Sequence, residues 1–147
     1  MSNVSRFGSL PVSALSGDRV AYVAPDATLH DVAEAMKAAD VGSLLVGDLA
    51  EPAGIVTERD LVGALAERRD PEATTALDLA QRQLIRCSPD ATVAEVADLM
   101  MQRYVRHVLV EDDTGLVGIV SARDLLGVYA AGDMEMDLGD LDDGDDA

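Results

Sequence analysis

The stretch GIVTERDL, residues 54–61, returns sixty-four positions later as GIVSARDL, residues 118–125. Only Thr57 and Glu58 change, to Ser121 and Ala122. The likeness spreads outward from this phrase. VAPDATLHDVAEAM (23–36) falls on CSPDATVAEVADLM (87–100), and VGSLLVGD (41–48) falls on VRHVLVED (105–112). No gap is needed between Pro25 and Leu65. Self-similarity of this length marks duplication of one supersecondary unit. Either copy alone is too small for a good core, so the two are expected to pack face to face about a pseudo-twofold axis.

Each copy reads as strand, helix, strand, strand, helix, which predicts an α+β fold of two β-α-β-β-α repeats. The first strands, RVAYV and QLIRC, are stopped by Pro25-Asp26 and Pro89-Asp90. Thr28 and Thr92 are placed as N-caps, with Asp31 and Glu95 three residues on at capping-box spacing. Leu29, Val32, Ala33 and Met36 recur at helical spacing, as do Val93, Val96, Ala97 and Met100. SLLVG, HVLVE, AGIVT and VGIVS are short apolar runs of the kind that form buried strands. The last helices are expected to start near Glu58 and Ala122, and TALDLAQR is the counterpart of PVSALSGD. The boundaries that follow are an N-terminal arm over 1–9, one repeat over 10–70, a second over 71–132, and a disordered acidic tail over 133–147.

The bulk numbers narrow the function classes. Hydrophobic residues make up 48% of the 147, but aromatics only 3%, so the core must rest on Val, Leu, Ile, Ala and Met. Eleven basic residues face twenty-eight acidic ones, for a formal net charge of −17. Such a surface repels nucleic acid and anionic membranes, which excludes both as partners. It suits a salt-rich, halophilic cytoplasm, where screening tames self-repulsion; recognition of a basic partner is the competing reading. A lone cysteine, Cys87, rules out an internal disulfide and a cysteine metal cluster, and reads as a small buried hydrophobe. The two histidines and the cysteine lie far apart, so no metal site is expected. No signal pattern opens the chain, and no apolar run approaches the roughly 20 residues that span a bilayer, so a soluble cytoplasmic protein is expected.

The repeated phrase admits two chemical readings. As a strand running into a helix, it sets Thr57 or Ser121 at the N-cap and Asp60 or Asp124 at N3, an approximate capping box. The same geometry can hold a ligand. A helix N-terminus offers free N–H groups and partial positive charge, and a carboxylate one turn on can accept two hydrogen bonds from the diol of a ribose. The apolar Ile55 and Ile119 can flank a flat base.

With these phrases in place, the chain resembles a tandem pair of CBS domains, the cystathionine-β-synthase motif, in the stand-alone form of a Bateman module. The resemblance covers about residues 10–131. It implies that Asp60 and Asp124 hold ribose, that Thr57 and Ser121 lie near ribose or phosphate, and that Arg59 and Arg123 contact phosphate. It implies a base cradle of Ala21 and Val41 opposite Asp124, and of Ile85 and Val105 opposite Asp60. Arg106 and His107, where the first copy has Gly42 and Ser43, would reach phosphates across the interface; a surface charge and a half-buried strand residue are their plainer readings. The function implied is a regulatory sensor of AMP, ADP or ATP that needs no cofactor, forms a homodimer and reports to an unidentified regulated protein. A sensor of S-adenosylmethionine and a ligand-free dimerisation module are the alternatives. No nucleophile–base pair or Walker-type loop is present, so no enzyme is expected.

Overall fold

The computed structural model describes residues 8–15, 20–48, 50–128 and 130. The expected acidic tail over 133–147, most of the N-terminal arm, and Tyr129 lie outside the described residues. The chain divides into two compact units: Arg19–Leu84, and Met1–Asp18 together with Ile85–Ala147.

In the Arg19–Leu84 unit, β1 (Tyr22–Val23) leads to α1 (Leu29–Ala39), then β2 (Ser43–Gly47), β3 (Pro52–Thr57), α2 (Glu58–Ala66) and the short α3 (Ala76–Leu79). The sheet order is β1-β2-β3, with β1 parallel and β3 antiparallel to β2. Leu44, Val46 and Val56 point to one face and pack with Val32, Met36, Val23 and Ala76. The alternate residues Leu45 and Ile55 are buried as well. A strand covered on both faces reads as an unbroken apolar run, as SLLVG does. α1 starts where Thr28 accepts from the Asp31 N–H and the Asp31 carboxylate accepts from the Thr28 N–H, the expected capping box. It ends at Asp40, in the left-handed conformation at φ 55°.

The other unit repeats this build. β4 (Arg86–Cys87), α4 (Val93–Arg103), β5 (His107–Asp112) and β6 (Gly115–Ser121) precede α5, helical over 122–128 and again at Ala130. Its sheet order is β4-β5-β6 with the same strand senses. Val93, Val96 and Met100 pack on Val108, Val110 and Val120. The order β-α-β-β-α and the α+β class therefore hold in both copies. The first strands are shorter than RVAYV and QLIRC, because pairing to the neighbouring strand involves only two residues in each. Cys87 is half-buried rather than fully enclosed.

One feature of the core is not visible in the repeat boundaries 10–70 and 71–132, which describe the duplication and not the compact units. Each copy opens with a short segment that closes the core of the other. The 3-10 turn Val12–Ala14, at the start of the first copy, lies in the second unit. Val12 is fully buried there; its N–H donates to the Ala91 carbonyl at 2.7 Å, and the Leu10 carbonyl accepts from Val93 at 2.8 Å. Ala76 does the same in the first unit, donating to Ala27 at 2.7 Å, while the Thr74 carbonyl accepts from Leu29 at 2.8 Å. The bonds are equivalent position by position. Val12→Ala should therefore cost about 1–3 kcal/mol of stability, the range for trimming a fully buried aliphatic side chain. Urea denaturation checks this; an unchanged midpoint would show that the segment lies outside the core.

Candidate functional site

The repeated phrase forms the turn from β3 into α2, and from β6 into α5. Gly54 has a packing reason to be glycine. A Cβ there would lie 2.8 Å from the Gln81 carbonyl oxygen and 2.8 Å from the Ala80 Cβ. Gln81 approaches so closely because it bridges Ile55, donating at 2.8 Å and accepting at 3.0 Å. Sequence reasoning did not single out Gln81; the polar residue closing the TALDLAQ run gives no signal, since the bridge depends on a fold-back of chain.

At the turn, both capping boxes are complete. The Thr57 N–H donates to Asp60 Oδ2 at 2.8 Å, the Thr57 hydroxyl donates to the same oxygen at 3.0 Å, and the Asp60 N–H donates to Thr57 Oγ1 at 3.3 Å. The Ser121 N–H donates to Asp124 Oδ2 at 2.8 Å, and the Asp124 N–H to Ser121 Oγ at 3.0 Å. Asp60 and Asp124 are half-buried. Among the described residues nothing bonds their Oδ1 atoms. Each carboxylate thus spends one oxygen on the helix start and keeps one for another donor. Capping and ligand binding are compatible in this geometry.

The neighbouring strands bring further residues to each turn. Ser43 is the register partner of Thr57, and His107 that of Ser121. The Gly42 carbonyl accepts from the Glu58 N–H at 3.0 Å, and the Arg106 carbonyl from the Ala122 N–H at 2.8 Å. Arg59, Arg106 and Arg123 are exposed, while His107 is half-buried. Of the cradle candidates, Ala21 and Ile85 use their carbonyls to accept from Leu45 at 2.9 Å and Leu109 at 2.8 Å. Val41 and Val105 donate to Met36 and Met100, both at 3.1 Å. All four are half-buried. Ile55 is buried and Ile119 half-buried, on the sheet face opposite the helix-packed core. Ala21, Val41, Ile55, Thr57, Arg59 and Asp60 fall in one unit, and Ile85, Val105, Arg106, His107, Ile119, Ser121, Arg123 and Asp124 in the other.

Elsewhere, Cys87 lines a shallow depression of about 320 Å³ with Ala91, Glu95, Val96, Asp98, Leu99 and Gln102. Burial pushes its thiol pKa up, which favours the unreactive protonated form. His30 is exposed and pairs with Glu34 at 2.8 Å. Among the described residues no three His, Cys, Asp or Glu side chains gather as a metal site. No described helix is long and apolar enough to cross a membrane.

Residues 9–67 and 76–131 match the CBS domain family, so the chain belongs to that family. An uncharacterized protein of Methanopyrus kandleri is 32% identical over 123 residues, which are 82% of this chain and 63% of that one. The CBS domain-containing protein YhcV of Bacillus subtilis is 31% identical over 108 residues, 73% of this chain and 76% of that one. Among solved structures, a CBS domain protein from Pyrobaculum aerophilum complexed with AMP superposes with a TM-score of 0.69 at 26% identity, covering 82% of this chain and 99% of that one. Tandem CBS modules are regulatory and often bind adenosine ligands.

The other capping boxes supply a pH prediction. The Thr28 backbone and hydroxyl bonds hold the Asp31 carboxyl below its ordinary 3.8, and the same two bonds from Thr75 do so for Asp78. A depressed folded-state pKa contributes stability that is present above the unfolded value and lost as pH falls through the folded one. Replacing both by asparagine should therefore lower the melting temperature at pH 7, and the gap to the parent should narrow below about pH 4. Paired thermal melts across that range check it; a gap that stays constant to pH 2 would contradict it.

Proposed function

We propose that this chain is a stand-alone regulatory sensor, not an enzyme, that binds an adenosine nucleotide (AMP, ADP or ATP) at the helix starts carrying Asp60 and Asp124. Binding would change its affinity for a regulated protein. The observation that carries this reading is the half-used carboxylate: at both turns Oδ2 caps the helix, and Oδ1 takes no bond among the described residues. A ribose diol needs such an acceptor beside a helix N-terminus, where partial positive charge also favours phosphate. Thr57 and Ser121 supply a hydroxyl, and Arg59, Arg123, Arg106 and His107 supply cations for phosphate. Ile55 and Ile119, with Ala21, Val41, Ile85 and Val105, would cradle the base. The AMP complex of the Pyrobaculum relative supports the ligand class.

One observation favours a second reading. Thr28–Asp31, Thr75–Asp78 and Thr92–Glu95 form the same box without the repeated phrase around them, so capping alone accounts for an acid at N3. On that reading the chain is a ligand-free interaction module. Asp60→Asn and Asp124→Asn separate the two. As caps alone, they should cost about 1 kcal/mol or less of stability and leave affinity untouched. As ribose clamps, each should weaken nucleotide binding about tenfold to a hundredfold. Titration calorimetry with AMP and its 2′-deoxy form measures this; variants that bind like the parent, or a deoxy ligand that binds equally, would leave capping as the better account. A thermal-shift panel that includes S-adenosylmethionine tests the alternative adenosine ligand.

Self-association belongs to the same proposal. Val62 and Leu65 on α2 and Leu126 on α5 are 66%, 77% and 69% exposed, apolar surface suited to burial against a second copy. Leu125, next to Leu126 on α5, is instead in the core at 5% exposed, and Leu61 on α2 packs against the core at half-burial; the opposite side of each helix faces its own sheet. Light scattering in high salt at micromolar concentration should give twice the 15.4 kDa chain mass; a monomer mass would refute a dimer.

A further inference from the structure

The two helix starts differ in charge at two matched positions, each charged in one copy and neutral in the other. In the first unit the Glu58 N–H is bonded to the Gly42 carbonyl; in the second, the Ala122 N–H is bonded to the Arg106 carbonyl. These four residues occupy equivalent places in the duplication, and both pairs are inverted: glycine with an acid in one, arginine with alanine in the other. The inversion has a steric side. A Cβ on Gly42 would lie 2.9 Å from Glu58 Oε1 and 3.5 Å from its carboxyl carbon, so the Glu58 carboxylate lies folded over the bare glycine backbone. The position answering to Gly42 in the second unit carries a full arginine side chain, and no carboxylate stands where Ala122 sits. With Arg59 and Arg123 alike in both, the first turn has two acids and one base around Thr57, and the second has two bases and one acid around Ser121.

We infer that the two turns take different classes of adenosine ligand: the Ser121–Asp124 turn takes the phosphorylated, anionic form, and Glu58 turns the Thr57–Asp60 turn against it in favour of an uncharged or cationic adenosine compound. The inference rests on the nucleotide-binding reading above and goes beyond it by giving each turn its own ligand class. The physical reason is direct. Both turns offer the same diol acceptor and the same helix N-terminus, so ribose recognition cannot separate them. A phosphate placed at either N-terminus lies close to residue 58 or 122, the first residue of the helix. There it meets a carboxylate in one case and a methyl group beside an arginine in the other. Like charge at contact range outweighs the partial charge of a helix end, which is about half an elementary charge. Glu58 is exposed, so the repulsion is screened and the discrimination should be weaker in high salt.

AMP and adenosine are the probes, since they share base and ribose and differ by the phosphate. Each turn is read alone in the background that disables the other: Asp124→Asn reports the first turn and Asp60→Asn the second. The ratio of AMP to adenosine affinity, measured by calorimetry at low and high salt, should be about tenfold or more higher at the second turn than at the first. Adding Glu58→Ala to the Asp124→Asn background should raise the ratio about tenfold, and adding Ala122→Glu to the Asp60→Asn background should lower it by a similar factor. Arg106→Gly should lower the ratio only in the Asp60→Asn background. Equal ratios at both turns, no response to Glu58→Ala and Ala122→Glu, or an Arg106→Gly effect confined to the first turn would each overturn the inference while leaving nucleotide binding intact. Absence of binding by either probe to the parent chain would overturn both.

Discussion

The interaction on which the site depends is the strand-to-helix turn that puts two backbone N–H groups in the care of one carboxylate and one hydroxyl. A helix start leaves four N–H groups without intrahelical partners. At α2 the first of these is met by the Gly42 carbonyl, and the Asp60 N–H by Thr57. The carboxylate of Asp60 turns back to the Thr57 N–H. That reciprocity holds the acid in one orientation, with its second oxygen outside the cap. Caps of this kind contribute about 0.5–2 kcal/mol each. Their larger consequence here is geometric, because a fixed carboxylate beside a helix N-terminus needs no reorganisation to receive a diol.

The sheet carries this turn rigidly. β2 in one unit and β5 in the other lie between two neighbours, and their central residues are buried on both faces. Register along β2–β3 brings Ser43 to Thr57, and along β5–β6 brings His107 to Ser121. Slippage by one residue would carry Leu44 and Val46, or Val108 and Val110, off the helix-packed face that they fill, so core packing locks the polar ends in place. The apolar core thereby determines where the hydroxyl and carboxylate stand. Around the two turns the copies diverge at Gly42 against Arg106, Ser43 against His107, and Glu58 against Ala122. A duplicated scaffold with unequal rims is the arrangement that lets two like turns acquire unlike preferences.

Much of this was legible in the chain itself. The duplication, the order of elements in each copy, the N-caps at Thr28, Thr57, Thr92 and Ser121, and the pairing of each hydroxyl with an acid three residues on can be read directly. They depend on residues within about one turn of each other, where periodicity and capping chemistry act locally. The candidate carboxylates were legible for the same reason, and the family resemblance followed from the order of the phrases. Tertiary structure alone decided which core each leading segment completes. Nothing in PVSALSG says that Val12 seals the helix that starts after Thr92, since that depends on hydrogen bonds to Ala91 and from Val93 some eighty residues away. It also decided that Leu125 turns inward while Leu126 does not, that Gln81 folds back on Ile55, and that Glu58 lies over Gly42. Local pattern specifies what a segment is; through-space contact selects its partner, because burial and backbone pairing are satisfied by whichever surface the folded chain brings near.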